Sequence, residues 1–75
     1  MISNKIKEII AKQLAIDVTT ITPNTTFADV NADSLDVVEV LMAIEKEFNI
    51  IIPDEDVDNL NTVSDLEVYI QSKMK

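Results

Sequence analysis

Seventy-five residues, 47% of them apolar, suffice for one small domain and leave little room for an enclosed active site beside a core. Fourteen acids against six lysines give a formal net charge of −8, a surface that repels nucleic acid and anionic membranes and favours partners with basic patches. Without cysteine or histidine the chain has no disulfide, no thiolate nucleophile, none of the usual zinc ligand patterns and no imidazole base, so an independent enzyme is not expected.

At the N-terminal end, Ile2, Ile6, Ile9, Ile10 and Leu14 recur at three and four residues. This spacing predicts an amphipathic helix over about 3–15, capped by Ser3 or Asn4, with Lys5, Lys7, Glu8 and Lys12 on its wet side. The lysine-punctuated period is unlike a secretory signal, and the apolar runs are too short to span a bilayer. A cytoplasmic protein that is not membrane-embedded is expected.

From Ile16 to Asp33 the period dissolves into Thr, Asp, Asn and Pro23. A structureless tether is one reading of so long a connection. The expected one is a packed loop, pinned by Val18, Ile21, Phe27 and Val30, that crosses the molecule and delivers Ser34 to an exposed helix end.

Asp33 is a good N-cap for a second helix, with Asp36 three residues on in the capping-box position. Ser34 is then the first helical residue, beside amides that lack intrahelical partners and beside the positive end of the helix dipole, where a phosphate is well placed. Taken alone, such a serine is most often a solvated first-turn residue. Val37, Val40, Leu41, Ile44 and Phe48 form the core stripe of this helix. A second apolar stripe, Leu35, Val38 and Met42, is interleaved with Glu39, Glu45 and Lys46. It fits either a central helix packed on both sides or an exposed patch, rimmed by acids, that docks on other proteins; methionine suits a surface accepting several partners.

Asn49 is the expected left-handed C-cap, since the chain has no glycine. Ile50-Ile51-Ile52 reads as a buried linker, too short and solitary for a strand. Pro53 opens a short third helix with acids in its first turn and Val57 and Leu60 turned inward. Thr62 with Asp65 is a capping-box-like start for the last helix, which Val63, Leu66, Tyr69, Ile70 and Met74 continue. The expected fold is all-α, a single domain over 1–75 with three longer helices, one short helix and a long first loop.

Ten of the fourteen acids lie between Asp29 and Asp58, opposed there only by Lys46, a one-signed field that steers basic partners toward this side. Asp54, Asp56 and Asp58 also match the first, third and fifth positions of an EF-hand loop, with Asp65 at the twelfth. However, Asn59 replaces the turn glycine, Asp65 is shorter than the chelating glutamate, and a helix start at Thr62 cuts across the loop. No dedicated metal site is expected, only weak cation binding by clustered carboxylates.

With Asp33-Ser34-Leu35-Asp36, Glu39, Met42-Ala43, Glu45, Glu47-Phe48, Ile52-Pro53-Asp54-Glu55, Thr62-Val63 and Tyr69-Ile70 in order and at matching spacing, the chain resembles the acyl carrier proteins over nearly its whole length. The resemblance implies a four-helix bundle in which a carrier-protein synthase (a phosphopantetheinyl transferase) attaches 4′-phosphopantetheine from coenzyme A to Ser34. Asp33 would assist recognition and metal-assisted modification. The arm's thiol, the only one in a chain without cysteine, would carry acyl groups as thioesters between acyl-transfer, condensing and reducing enzymes of fatty acid or polyketide synthesis. Leu35, Asp36, Val38, Glu39, Met42 and Glu45 would form the docking face. Phe27, Val40, Ile44, Ile52, Val57, Leu60 and Leu66 would receive short acyl chains, in a pocket made shallower by the bulk of Val57 and Leu66. Asn31 stands where the family often has glycine, and its tolerance of positive φ preserves the loop. Three other readings remain: a D-alanyl or aminoacyl carrier, a calcium-binding interaction protein using Asp54 to Asp65, and a structural helical adaptor that needs no modification. Net charge of this size disfavours self-association, so a monomer is expected.

Overall fold

The computed structural model describes residues 2–74; Met1 and Lys75, the ends of the expected 1–75 domain, lie outside them. Four helices follow in order: α1 (Ile2–Leu14), α2 (Ser34–Phe48), α3 (Asp54–Val57) and α4 (Val63–Lys73). Among the described residues there is no strand, and none of the helices is long and apolar enough to cross a membrane. α1 packs against both α2 and α4. Ile6 and Ile10 from α1, Val40 and Ile44 from α2, and Leu66 and Ile70 from α4 meet in one closed core. These are the apolar positions spaced three and four apart, and burying each such side chain is worth about 1.5–3 kcal/mol.

The loop between α1 and α2 is packed. The Cα radius of gyration, 11.1 Å, matches the roughly 11 Å expected of a compact chain of this length and leaves no room for a dangling tether. Ile21 is buried and Phe27 and Val30 are half-buried, but Val18 is exposed, contrary to expectation. It lies in a 3-10 turn, Val18–Thr20, capped by Asp17, whose carboxylate accepts from the Thr19 amide at 2.9 Å and is thereby held below the usual aspartate range. The cap fixes the direction of the turn and leaves Val18 outside. Further on, the loop docks on α4: Thr26 pairs with Thr62 in a single antiparallel bridge, while the Thr25 and Pro23 carbonyls accept from the Val63 and Ser64 amides at 3.2 and 2.9 Å.

Three residues hold positive φ in a chain without glycine: Ala15 at 56°, Asn31 at 58° and Asn49 at 55°. The two asparagines are the residues expected there. Ala15 was not expected. It ends α1 in the left-handed region, where a Cβ is unfavourable, and the Ile16 amide then donates to the Ala11 carbonyl at 3.0 Å, satisfying one of the helix's last carbonyls.

The Ile50–Ile52 linker is buried only in part. Ile52 is 7% exposed and Ile50 half-buried, but Ile51 is 78% exposed, because an extended run directs successive side chains to opposite sides. α3 is tied to α4 by Tyr69, whose hydroxyl donates to Asp56 at 2.7 Å. Partial burial, then the bond to Asp56 and the charges of Asp56, Glu45 and Glu55, push the Tyr69 hydroxyl up to about 12.

Candidate functional site

The start of α2 is built by a reciprocal cap. Asp33, at φ −88°, accepts from the Asp36 amide at 2.9 Å, and the Asp36 carboxylate accepts from the Asp33 amide at 3.2 Å. Ahead of it, Asn31 in the left-handed region turns the chain, and the Ala32 amide donates to the Phe27 carbonyl at 3.0 Å. Both ends of the entry are thus held, and Ser34 stands exposed at the first helical position. The Ser34 and Leu35 amides have no intrahelical acceptor, so together with the helix dipole they favour a phosphate ester on the Ser34 hydroxyl.

The other serines are placed differently. Ser3 lies in the first turn of α1, the Ser64 amide is engaged by the loop, and the Ser72 hydroxyl donates to the Tyr69 carbonyl at 2.8 Å.

Leu35, Val38 and Met42 are 66%, 50% and 60% exposed, which decides between the two explanations of the second stripe: α2 is packed on one side and carries an open apolar patch on the other. Glu39 lies beside it, exposed, and its carboxylate accepts from the Gln13 side chain of α1 at 3.0 Å. Nothing in the sequence singles out Gln13, because a pair 26 residues apart leaves no periodic signal. Asp36 reaches this face half-buried and committed to the cap. Glu45 is also half-buried, and its carboxylate accepts from the Ile52 amide at 2.7 Å.

The seven apolar residues expected to form one pocket are not gathered round one space. Ile52 and Val57 line a groove of about 290 Å³ between α2 and α3, with Val38, Leu41, Met42 and Glu45 on its other wall. Phe27 and Leu66 line a void of about 10 Å³ beside the loop, room for one water at most. Val40, Ile44 and Leu60 belong to the closed core and line neither space.

The EF-hand-like acids do not form a loop. Asp54 to Val57 is helical, Asp56 accepts from Tyr69, and Asp65 accepts from the Asn61 and Thr62 amides, both at 3.1 Å. Those two amide bonds hold the Asp65 carboxyl below its ordinary range. Among the described residues no three carboxylates converge on a point where a metal ion could sit.

Comparison with known proteins agrees with this arrangement. Residues 4–70 match the family model described as the phosphopantetheine attachment site. The chain is 47% identical over 74 residues to a curated acyl carrier protein of Thermosynechococcus vestitus, covering 97% of this chain and 91% of that one. Its fold superposes on the structure of the acyl carrier protein from Enterococcus faecalis with a TM-score of 0.80 at 33% identity, covering 96% of this chain and 92% of the other.

Proposed function

The chain belongs to the acyl carrier proteins, the family of the phosphopantetheine attachment site, and on that footing we propose that Ser34 is the residue that receives the 4′-phosphopantetheine arm. The observation that carries this is the placement of Ser34: exposed, at the first position of α2, with first-turn amides beside it and no structural bond to lose. The attachment is a phosphoryl transfer. The Ser34 oxygen forms a bond to the phosphorus next to the pantetheine, the bond from that phosphorus to the nucleotide breaks, and the serine proton leaves to a base of the synthase. When bound, the arm supplies a terminal thiol, which this cysteine-free chain lacks.

The chain serves as a carrier and leaves catalysis to its partners, in fatty acid synthesis by preference over polyketide synthesis. Its partners are the synthase and the acyl-transfer, condensing and reducing enzymes with basic patches. They dock on Leu35, Val38 and Met42, with Asp36 and Glu39 at the rim. An exposed apolar trio beside acids supports this reading, because apolar contact gives affinity and the acidic field gives orientation and rate. Asp33 contributes to recognition by the synthase. Short acyl chains enter between α2 and α3 at the groove lined by Ile52 and Val57, and long chains stay partly outside, since Val40, Ile44 and Leu66 are already closed in the core. The molecule works as a cytoplasmic monomer.

The test is intact mass after incubation with coenzyme A, Mg²⁺ and a carrier-protein synthase. Wild type gains one phosphopantetheine and Ser34→Ala gains none. A folded wild type that gains nothing, or a Ser34→Ala variant that still gains the arm, refutes the assignment.

A further inference from the structure

Glu45, like Asp36, is drawn into the fold where the other residues expected at the docking face are open to solvent. Leu35, Val38, Glu39 and Met42 are exposed, whereas Glu45 is half-buried and turned toward the chain reversal that follows α2. That reversal hangs on it. The Glu45 carbonyl accepts from the Asn49 amide and from the Ile50 amide, the latter at 3.1 Å, and its carboxylate accepts from the Ile52 amide at 2.7 Å. One residue therefore gathers three of the four amides from Asn49 to Ile52. The same carboxylate is close enough to Tyr69 of α4 to disfavour its ionisation, so its charge is turned into the fold as well as outward.

The run Ile50-Ile51-Ile52 presents three identical side chains, and hydrophobicity alone cannot choose among them. A slip of one residue would bury Ile51 and expose Ile52 at little cost in apolar area. Yet Ile52 is in the core and on the groove wall, and Ile51 is outside. Two anchors on one residue supply the missing discrimination: with the Ile50 amide on the Glu45 carbonyl and the Ile52 amide in a charge-assisted bond to its carboxylate, a slip that brought Ile51 to the carboxylate would have to bridge the same span with one residue fewer.

We infer that Glu45 is a positioning residue, whose carboxylate grips the Ile52 amide, selects which of three consecutive isoleucines enters the core, and so sets the α3-side wall of the groove. Its contribution is the acceptor oxygen. A partner-binding acid contributes its charge. Glutamine keeps the oxygen and loses the charge, which separates the two roles.

The experiment compares wild type, Glu45→Gln, Glu45→Ala and Glu39→Gln. Amide hydrogen exchange on the unmodified protein is followed at Ile52, with the core amide of Ile70 as a control for global unfolding. Expected is an Ile52 exchange rate at least tenfold faster in Glu45→Ala, within threefold of wild type in Glu45→Gln, and unchanged relative to Ile70 in Glu39→Gln. Equal acceleration in the Gln and Ala variants, or acceleration in neither, overturns the inference. A second measurement, KM for modification by the synthase, is expected to stay within twofold in Glu45→Gln and to rise more in Glu39→Gln. A rise in Glu45→Gln equal to that of Glu39→Gln makes Glu45 a docking acid and overturns the inference too. Only this second measurement rests on Ser34 being the attachment point; if wild type takes no arm, that assignment fails while amide exchange still decides the role of Glu45.

Discussion

At the start of α4 the Val63 and Ser64 amides donate to loop carbonyls of Thr25 and Pro23, while at the start of α2 the corresponding Ser34 and Leu35 stand exposed beside a capping box of the same kind. In each helix the N-cap side chain accepts from the third helical amide, and the aspartate at that position accepts from the N-cap amide. What differs is what lies in front. The long loop runs over the α4 start and closes it, and leaves the α2 start open. A helix start whose first amides are used by the fold is a structural joint, and one whose first amides are free is available to a phosphate.

The sharpest way to break the comparison is to remove each serine. Ser34→Ala is expected to lose the arm completely and Ser64→Ala to keep it, read by intact mass after incubation with coenzyme A and synthase; an arm that moves to Ser64 would erase the distinction. Next in size is the apolar residue at each start. Val63 is 2% exposed, and Val63→Ala is expected to lower the unfolding free energy by about 2 kcal/mol in urea titration. Leu35→Ala, at an exposed position, is expected to change it by less than about 0.5 kcal/mol.

The caps come third. Thr62→Ala and Asp33→Ala are each expected to cost about 1 kcal/mol. Only Asp33→Ala is expected to slow modification as well, so equal slowing in both variants would mean that helix integrity, and not the open start, governs the synthase. The smallest effect is a pH dependence at the closed start. The Asn61 and Thr62 amides lower the folded-state affinity of Asp65 for protons, so its contribution is present above the unfolded value of about 3.9 and fades as pH falls through the lower folded one. Thermal melts should show wild type more stable than Asp65→Asn at pH 6, with the gap narrowing below about pH 4.

Much of this was legible in local residue order. Asp33 with Asp36, Thr62 with Asp65, and Asn31 and Asn49 at positive φ are recognisable because each depends on residues at most three positions away. The placement of Ser34 followed from the first of these. Val18 and Ile51 lie outside for one shared reason: an apolar side chain predicts burial, whereas each position is set by bonds of the neighbouring backbone, to Asp17 and to Glu45. That Phe27 and Leu66 line one space and Ile52 and Val57 another left no trace in the sequence, because apolar periodicity reports which residues turn inward and carries nothing about whether a gap remains between them.

The sequence by itself determined where α2 and α4 begin, which stripe of each is buried, and that Ser34 heads α2 directly after its cap, since caps and periods act over one or two turns of chain. Only the tertiary structure decided that the Leu35, Val38 and Met42 stripe is open to solvent, that loop carbonyls close α4, that Gln13 holds Glu39, and that Ile52 rather than Ile51 enters the core. Those outcomes depend on groups brought together by chain reversal, whose bonds form between residues up to 41 positions apart, as for Pro23 and Ser64, and leave no periodic trace in the order of amino acids.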